Sequence, residues 1–170
     1  MLVRYATMPE PETISELDLG CRPEAAVSGA VLVQTEHSTF LTFNAMRPTD
    51  RMSPYGGPYM EDAGVALVEF KMCAITKFGY PNDEAWSGIP RTRGLSYGIF
   101  EVKNSEWIRE LTSLNRHSFP NTPDDVRSRH FLFLFHDSSF ECIADEMTLE
   151  LVPGPYANVF ARITERVLAE

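Results

Sequence analysis

Alternation of apolar and polar residues with a period of two runs through most of this chain, and helical periodicity is confined to a few short segments. VSGAVLVQ (27–34) and TFLTFNAM (39–46) are rich in β-branched and aromatic residues and flank a polar tip, Thr35 to Ser38. That pattern predicts a hairpin. Residues 65–78, VALVEFKMCAITKF, predict one long strand. Ala66, Val68, Phe70, Met72, Ala74 and Phe78 form its more apolar face, and Val65, Leu67, Glu69, Lys71, Cys73 and Ile75 form the other. LSYGIFEV (95–102) predicts a further strand, and RHFLFLFHDSSFECIADE (129–146) a second hairpin. TLELV (148–152) either continues the return strand of that hairpin or begins another.

Helices are predicted in three places. Residues 12–18 suit one short helix between prolines. Asn104 or Ser105 is positioned to cap a second, with Trp107, Ile108, Leu111 and Leu114 on one face. The chain closes with a third that starts at Pro155, on which Tyr156, Phe160, Ile163 and Val167 recur at helical spacing. Residues 46–64 carry three prolines and three glycines and predict a loop, and so do residues 79–94. Strands joined by hairpins, with helices late, predict an α+β fold on a mainly antiparallel sheet, with the C-terminal helix packed on it. A half-closed barrel is the alternative. The 170 residues suffice for a single domain, 1–170.

Composition narrows the function. Fifteen Lys and Arg against 24 Asp and Glu give a formal charge of −9, which opposes nucleic acid and anionic membranes as partners. No run reaches the roughly 18 apolar residues of a membrane span. Cys21, Cys73 and Cys142 are widely spaced and include no C-x-x-C pair, so neither a disulfide framework nor a zinc knuckle is predicted. No cofactor motif is present, and the glycines of 46–64 match no nucleotide-binding pattern. The N-terminal residues lack the apolar core of a secretory signal, so a cytoplasmic protein is expected.

Candidate chemistry lies in two stretches. In 129–146, His130, Leu132, Leu134 and His136 share one strand face, and Phe131, Phe133 and Phe135 share the other. Six residues of regular strand put roughly 20 Å between the two histidines, too far to share a metal. A two-residue turn at Ser138-Ser139, or a four-residue turn over 137–140, sets His136 opposite Glu141. The carboxylate would then orient the imidazole and favour its protonated form, leaving the other ring nitrogen for acid–base work. A plain cross-strand ion pair is the simpler alternative. Cys142 falls on the phenylalanine side and is assigned to packing.

The second stretch, 79–94, gathers Tyr80, Asp83, Glu84, Trp86, Arg91 and Arg93. Arg91 and Arg93 suit an anionic group, Asp83 or Glu84 a base, and Tyr80 and Trp86 the walls of a pocket. Pro81-Asn82-Asp83 is equally a turn leading into a capped helix, and the arginines equally partners for nearby acids. The expected function is binding of a small organic ligand between the sheet and the two long loops. Metal-independent acid–base chemistry by His136 and Glu141 would accompany it. The alternative is an acidic interaction module, of inhibitor or immunity type, that masks a basic protein partner.

Overall fold

A computed structural model describes residues 10–121 and 127–169. Its elements, in chain order, are β1 (Thr13–Glu16), β2 (Arg22–Pro23), β3 (Val31–Gln34), β4 (Thr39–Met52), β5 (Pro58–Lys71), β6 (Ile75–Gly79), α1 (Asp83–Gly88), β7 (Gly98–Lys103), α2 (Glu106–Ser118), β8 (Arg129–Leu134), β9 (Ser139–Ala144), β10 (Glu146–Val152) and α3 (Tyr156–Val167). The strands form two antiparallel sheets, one ordered β1-β7-β8-β9-β6 and the other β10-β5-β4-β2, with β3 also paired to β4. The fold is α+β as expected. The sheets are not closed into a barrel; they stack face to face.

Period-two patterning explains the stack. Leu41, Phe43, Ala66, Val68 and Phe70 of one sheet meet Ile99, Phe131, Phe133, Phe135, Phe140 and Cys142 of the other in a single buried core. Six phenylalanines carry this contact, with Phe70 and Phe140 rings 5.3 Å apart and Phe133 edge-on to Phe140 at 5.8 Å. The opposite face of the second sheet, Phe40, Val65 and Leu67, is covered by α3 through Val159 and Ile163. The apolar stripe of α3 is therefore Tyr156, Val159, Ile163 and Val167. Phe160, expected on that stripe, lies at its rim. Arg166 ties α3 down by donating to Glu69 (2.7 Å) and Glu150 (2.9 Å).

Four predicted elements differ. Residues 13–16 form a strand, because Ile14 and its neighbours find ready partners on β7, Ile14 opposite Val102. A helix of that length would leave most of its own backbone groups unbonded. Residues 46–64 are no loop: β4 and β5 continue there as a two-stranded ribbon, Arg47 opposite Glu61 and Pro48 opposite Met60. Each strand of such a ribbon is an edge, so proline's missing N–H costs no ladder bond. The predicted strand 65–78 breaks at Met72–Ala74, where Met72 adopts φ +51°. There the chain passes from one sheet to the other beside the β9–β10 crossing. Lys71 pairs with Glu146 and Ile75 with Ile143, so the β5–β6 connection holds one residue more than the β9–β10 connection beside it, and the pair bends. Of the two readings of 148–152, the new strand is the one formed: β10 joins the second sheet. Finally, residues 79–94 contain α1, whose N-cap Asn82 accepts from the Ala85 N–H at 3.3 Å.

Candidate functional site

The β8–β9 register decides what the two histidines meet. Phe135 N–H donates to Ser138 O (3.0 Å), so the turn is His136-Asp137, not Ser138-Ser139. Leu132 stands opposite Glu141 and His130 opposite Ile143. The expected His136–Glu141 pairing is therefore wrong by four residues of register. Because four is even, every residue keeps its predicted face: the phenylalanines and Cys142 look inward, and His130, Leu132, Leu134 and Glu141 look outward.

On that outward face lies a buried polar chain. His130 Nε2 is 2.8 Å from Glu141 Oε2, and His130 Nδ1 is 2.8 Å from Ser105 Oγ. Arg91 donates to Glu141 Oε1 at 2.7 Å. Since a carboxylate only accepts, the proton lies on Nε2. Burial pushes the Glu141 carboxyl up, but the bonds from His130 and Arg91 and their charges outweigh it and hold it down at about 2. The Trp107 ring stands edge-on to His130 at 5.3 Å, and Lys77 Nζ sits 3.6 Å over the centre of the same ring. Serine, histidine and glutamate are connected here in the order of a hydrolytic triad. The serine oxygen, however, also accepts the Ile108 N–H as the N-cap of α2. Ser105 and His130 are 4% and 1% exposed. The chain works as a fastener that pins the Arg91 segment and the start of α2 to two strands.

His136 lies in a second, exposed cluster. Its Nδ1 is 2.9 Å from Asp137 Oδ1 and its Nε2 3.8 Å from Asp83 Oδ2. Tyr97 donates to Asp83 (2.7 Å), and the Asp83 N–H donates to the His136 carbonyl (3.0 Å). The hydrogen bond that His136 donates to Asp137, against some desolvation, and the charge of Asp83 push the His136 pKa up. The bond from Tyr97 holds Asp83 down. This cluster fixes the β8–β9 turn to the start of α1.

Six residues of 79–94 thus scatter. Asp83 meets His136, and Arg91 meets Glu141. Trp86 is buried on Phe100, Val102, Leu132 and Leu134 as part of the cover of the first sheet, so it walls no pocket there. Tyr80, Glu84 and Arg93 are exposed. Sequence reasoning missed His130, although its parity with Glu141 was readable; the turn position hid it.

A cavity of about 610 Å³ lies elsewhere, at the side of the sandwich opposite the bent corner. The segment from β1 to β2 crosses there from one sheet to the other and supplies Glu16, Leu17, Asp18, Gly20, Cys21 and Arg22. Pro48, Gly57, Pro58 and Met60 along the ribbon, as far as its tip, form the facing wall, and Ile99 lies at the floor. Leu17 N–H donates to Ile99 O (2.8 Å), which holds the crossing segment against β7. Arg22 and Glu16 pair across the rim at 2.9 Å. Burial lifts the Cys21 thiol to about 11, so it serves as neutral wall rather than nucleophile. Nothing in the spacing of LDLGCRP announced this cavity, because it forms only where three distant segments meet.

No protein-family model, curated protein or solved structure matches this chain. None of the described helices is long and apolar enough to cross a membrane.

Proposed function

We propose that this chain is a small-molecule-binding protein and that its site is the cavity between the β1–β2 crossing and the β4–β5 ribbon. The cavity volume, about 610 Å³, carries this reading. It falls within the roughly 300–1,000 Å³ range of ligand pockets. An apolar floor with a few charged groups at the rim is the usual make-up of such sites. The expected pocket between the sheet and two long segments is retained in one half only, since 46–64 contributes walls and 79–94 does not. Acid–base chemistry by a His136–Glu141 pair is not retained, because the two side chains belong to separate networks. Thermal-shift screening of a metabolite library tests the reading, with Met60→Trp as the filled-cavity control. Ligands should raise the melting temperature of the native chain and not of the variant. Equal shifts in both would remove the cavity from the account.

A second reading, the acidic interaction module, is favoured by the ribbon. Met52 and Tyr55 on it are 69% and 97% exposed, and Arg51 stacks on Tyr59. Tyrosine, methionine and arginine are enriched at protein interfaces. A photo-crosslinking residue at position 55 should then yield one discrete adduct with a basic protein in cells, and no adduct would end this reading.

A further inference from the structure

We propose that the ligand of this cavity is a small organic cation, an amine carried on an apolar body. The inference rests on the binding reading above and concerns the chemistry of the same site. The floor and walls are Ile99, Cys21, Leu17, Met60 and two prolines, and none of them brings a charge. Such a surface rewards an aromatic or branched aliphatic body. The rim carries two carboxylates, Glu16 and Asp18, against one guanidinium, Arg22. Arg22 is already committed to Glu16. Asp18 is not matched by a cation: its Oδ1 accepts the Gly20 N–H at 3.1 Å, and among the described residues no side chain donates to it. The uncompensated charge at the mouth is therefore negative, as is the chain as a whole at −9. An anion entering here meets Asp18 without a free positive partner. A neutral ligand gains the apolar floor alone. An ammonium group gains a charge-assisted hydrogen bond at the rim while its body covers the floor.

Three molecules with one body and three heads separate these cases: 4-phenylbutylamine, 4-phenylbutan-1-ol and 4-phenylbutanoate. Calorimetric titration of the full chain should rank the amine about tenfold tighter than the alcohol, with the carboxylate weakest. Asp18→Asn should bring the amine to the level of the alcohol and leave the alcohol unchanged. Met60→Trp, at a partly exposed wall position, should weaken all three. Equal affinity of amine and alcohol, or an Asp18→Asn variant that binds the amine as the native chain does, would overturn the cation assignment. The cavity itself survives that result if Met60→Trp still abolishes binding. If none of the three molecules binds, or if Met60→Trp changes none of them, the cation assignment and the cavity reading fall together.

Discussion

Glu141 accepts from His130 across the β8–β9 ladder at 2.8 Å and lies two residues along from the position opposite that histidine. This diagonal pair is 1% and 10% exposed at the side chain. Removing one partner of this buried hydrogen bond leaves the other unsatisfied and costs roughly 1–3 kcal/mol. Glu141→Ala should therefore destabilise by that order in urea unfolding, and His130→Ala nearly as much. Arg91 is 34% exposed and can turn to water, so Arg91→Ala should cost no more than about 1 kcal/mol. Equal losses at Arg91 and Glu141 would contradict this ranking.

The acid limb of stability should be steep. Glu101, held chiefly by Arg129 at 2.8 and 2.9 Å and also by Lys103, is lowered to about 2, as is Glu141. Both lie below the roughly 4.3 of an unfolded glutamate. The unfolded chain thus takes up protons first. The stability these groups contribute is whole above about pH 5 and drains as pH falls toward 2, on the order of 2–3 kcal/mol each. Glu141→Gln and Glu101→Gln should flatten that limb, measured as unfolding free energy against pH.

His136 titrates in the opposite sense. Its raised pKa means that its pairing with Asp137 and Asp83 is fully present in acid and is lost as pH rises through the folded value. Imidazole proton NMR should show its midpoint fall in Asp137→Asn, and fall less in Asp83→Asn. An unchanged midpoint in Asp137→Asn would contradict the assigned contact.

The three thiols should differ in reactivity. A hydrogen bond from Cys142, opposed by partial burial, lowers Cys73 to about 7, whereas burial raises both Cys21 and Cys142. Iodoacetamide at neutral pH should label Cys73 first, read by peptide mass spectrometry. Labelling of Cys21 ahead of Cys73 would contradict the order.

Gly64 marks the place where the ribbon leaves the sheet. Its φ is +87°, and a Cβ there would sit 2.6 Å from the Val152 carbonyl oxygen. Gly64→Ala should cost at least about 1–2 kcal/mol and loosen the ribbon root, and a neutral result in urea unfolding would remove that role.

Faces were legible in the sequence where registers were not. Parity along 129–146 assigned Phe131, Phe133, Phe135 and Cys142 to the core correctly, since any even shift preserves it. The turn was not legible: His136-Asp137 and Ser138-Ser139 are both polar dipeptides without glycine, and local chemistry does not choose between them. Packing chooses, because the observed register sets Phe133 against Phe140. Asn82 was readable as a cap, since capping is local. The Arg91–Glu141 bond, fifty residues apart, depends on how the 79–94 segment covers the first sheet, and the cavity at Asp18 and Met60 on how the two sheets stack. Proline and glycine hid the ribbon because they signal loops as readily as exposed edges.

The most direct test of the binding account is amide NMR mapping of a thermal-shift ligand on the native chain. Shifts confined to residues 16–22, Gly57, Met60 and Ile99 are the predicted result. Shifts clustered instead at Asp83, Tyr97 and His136 would contradict it.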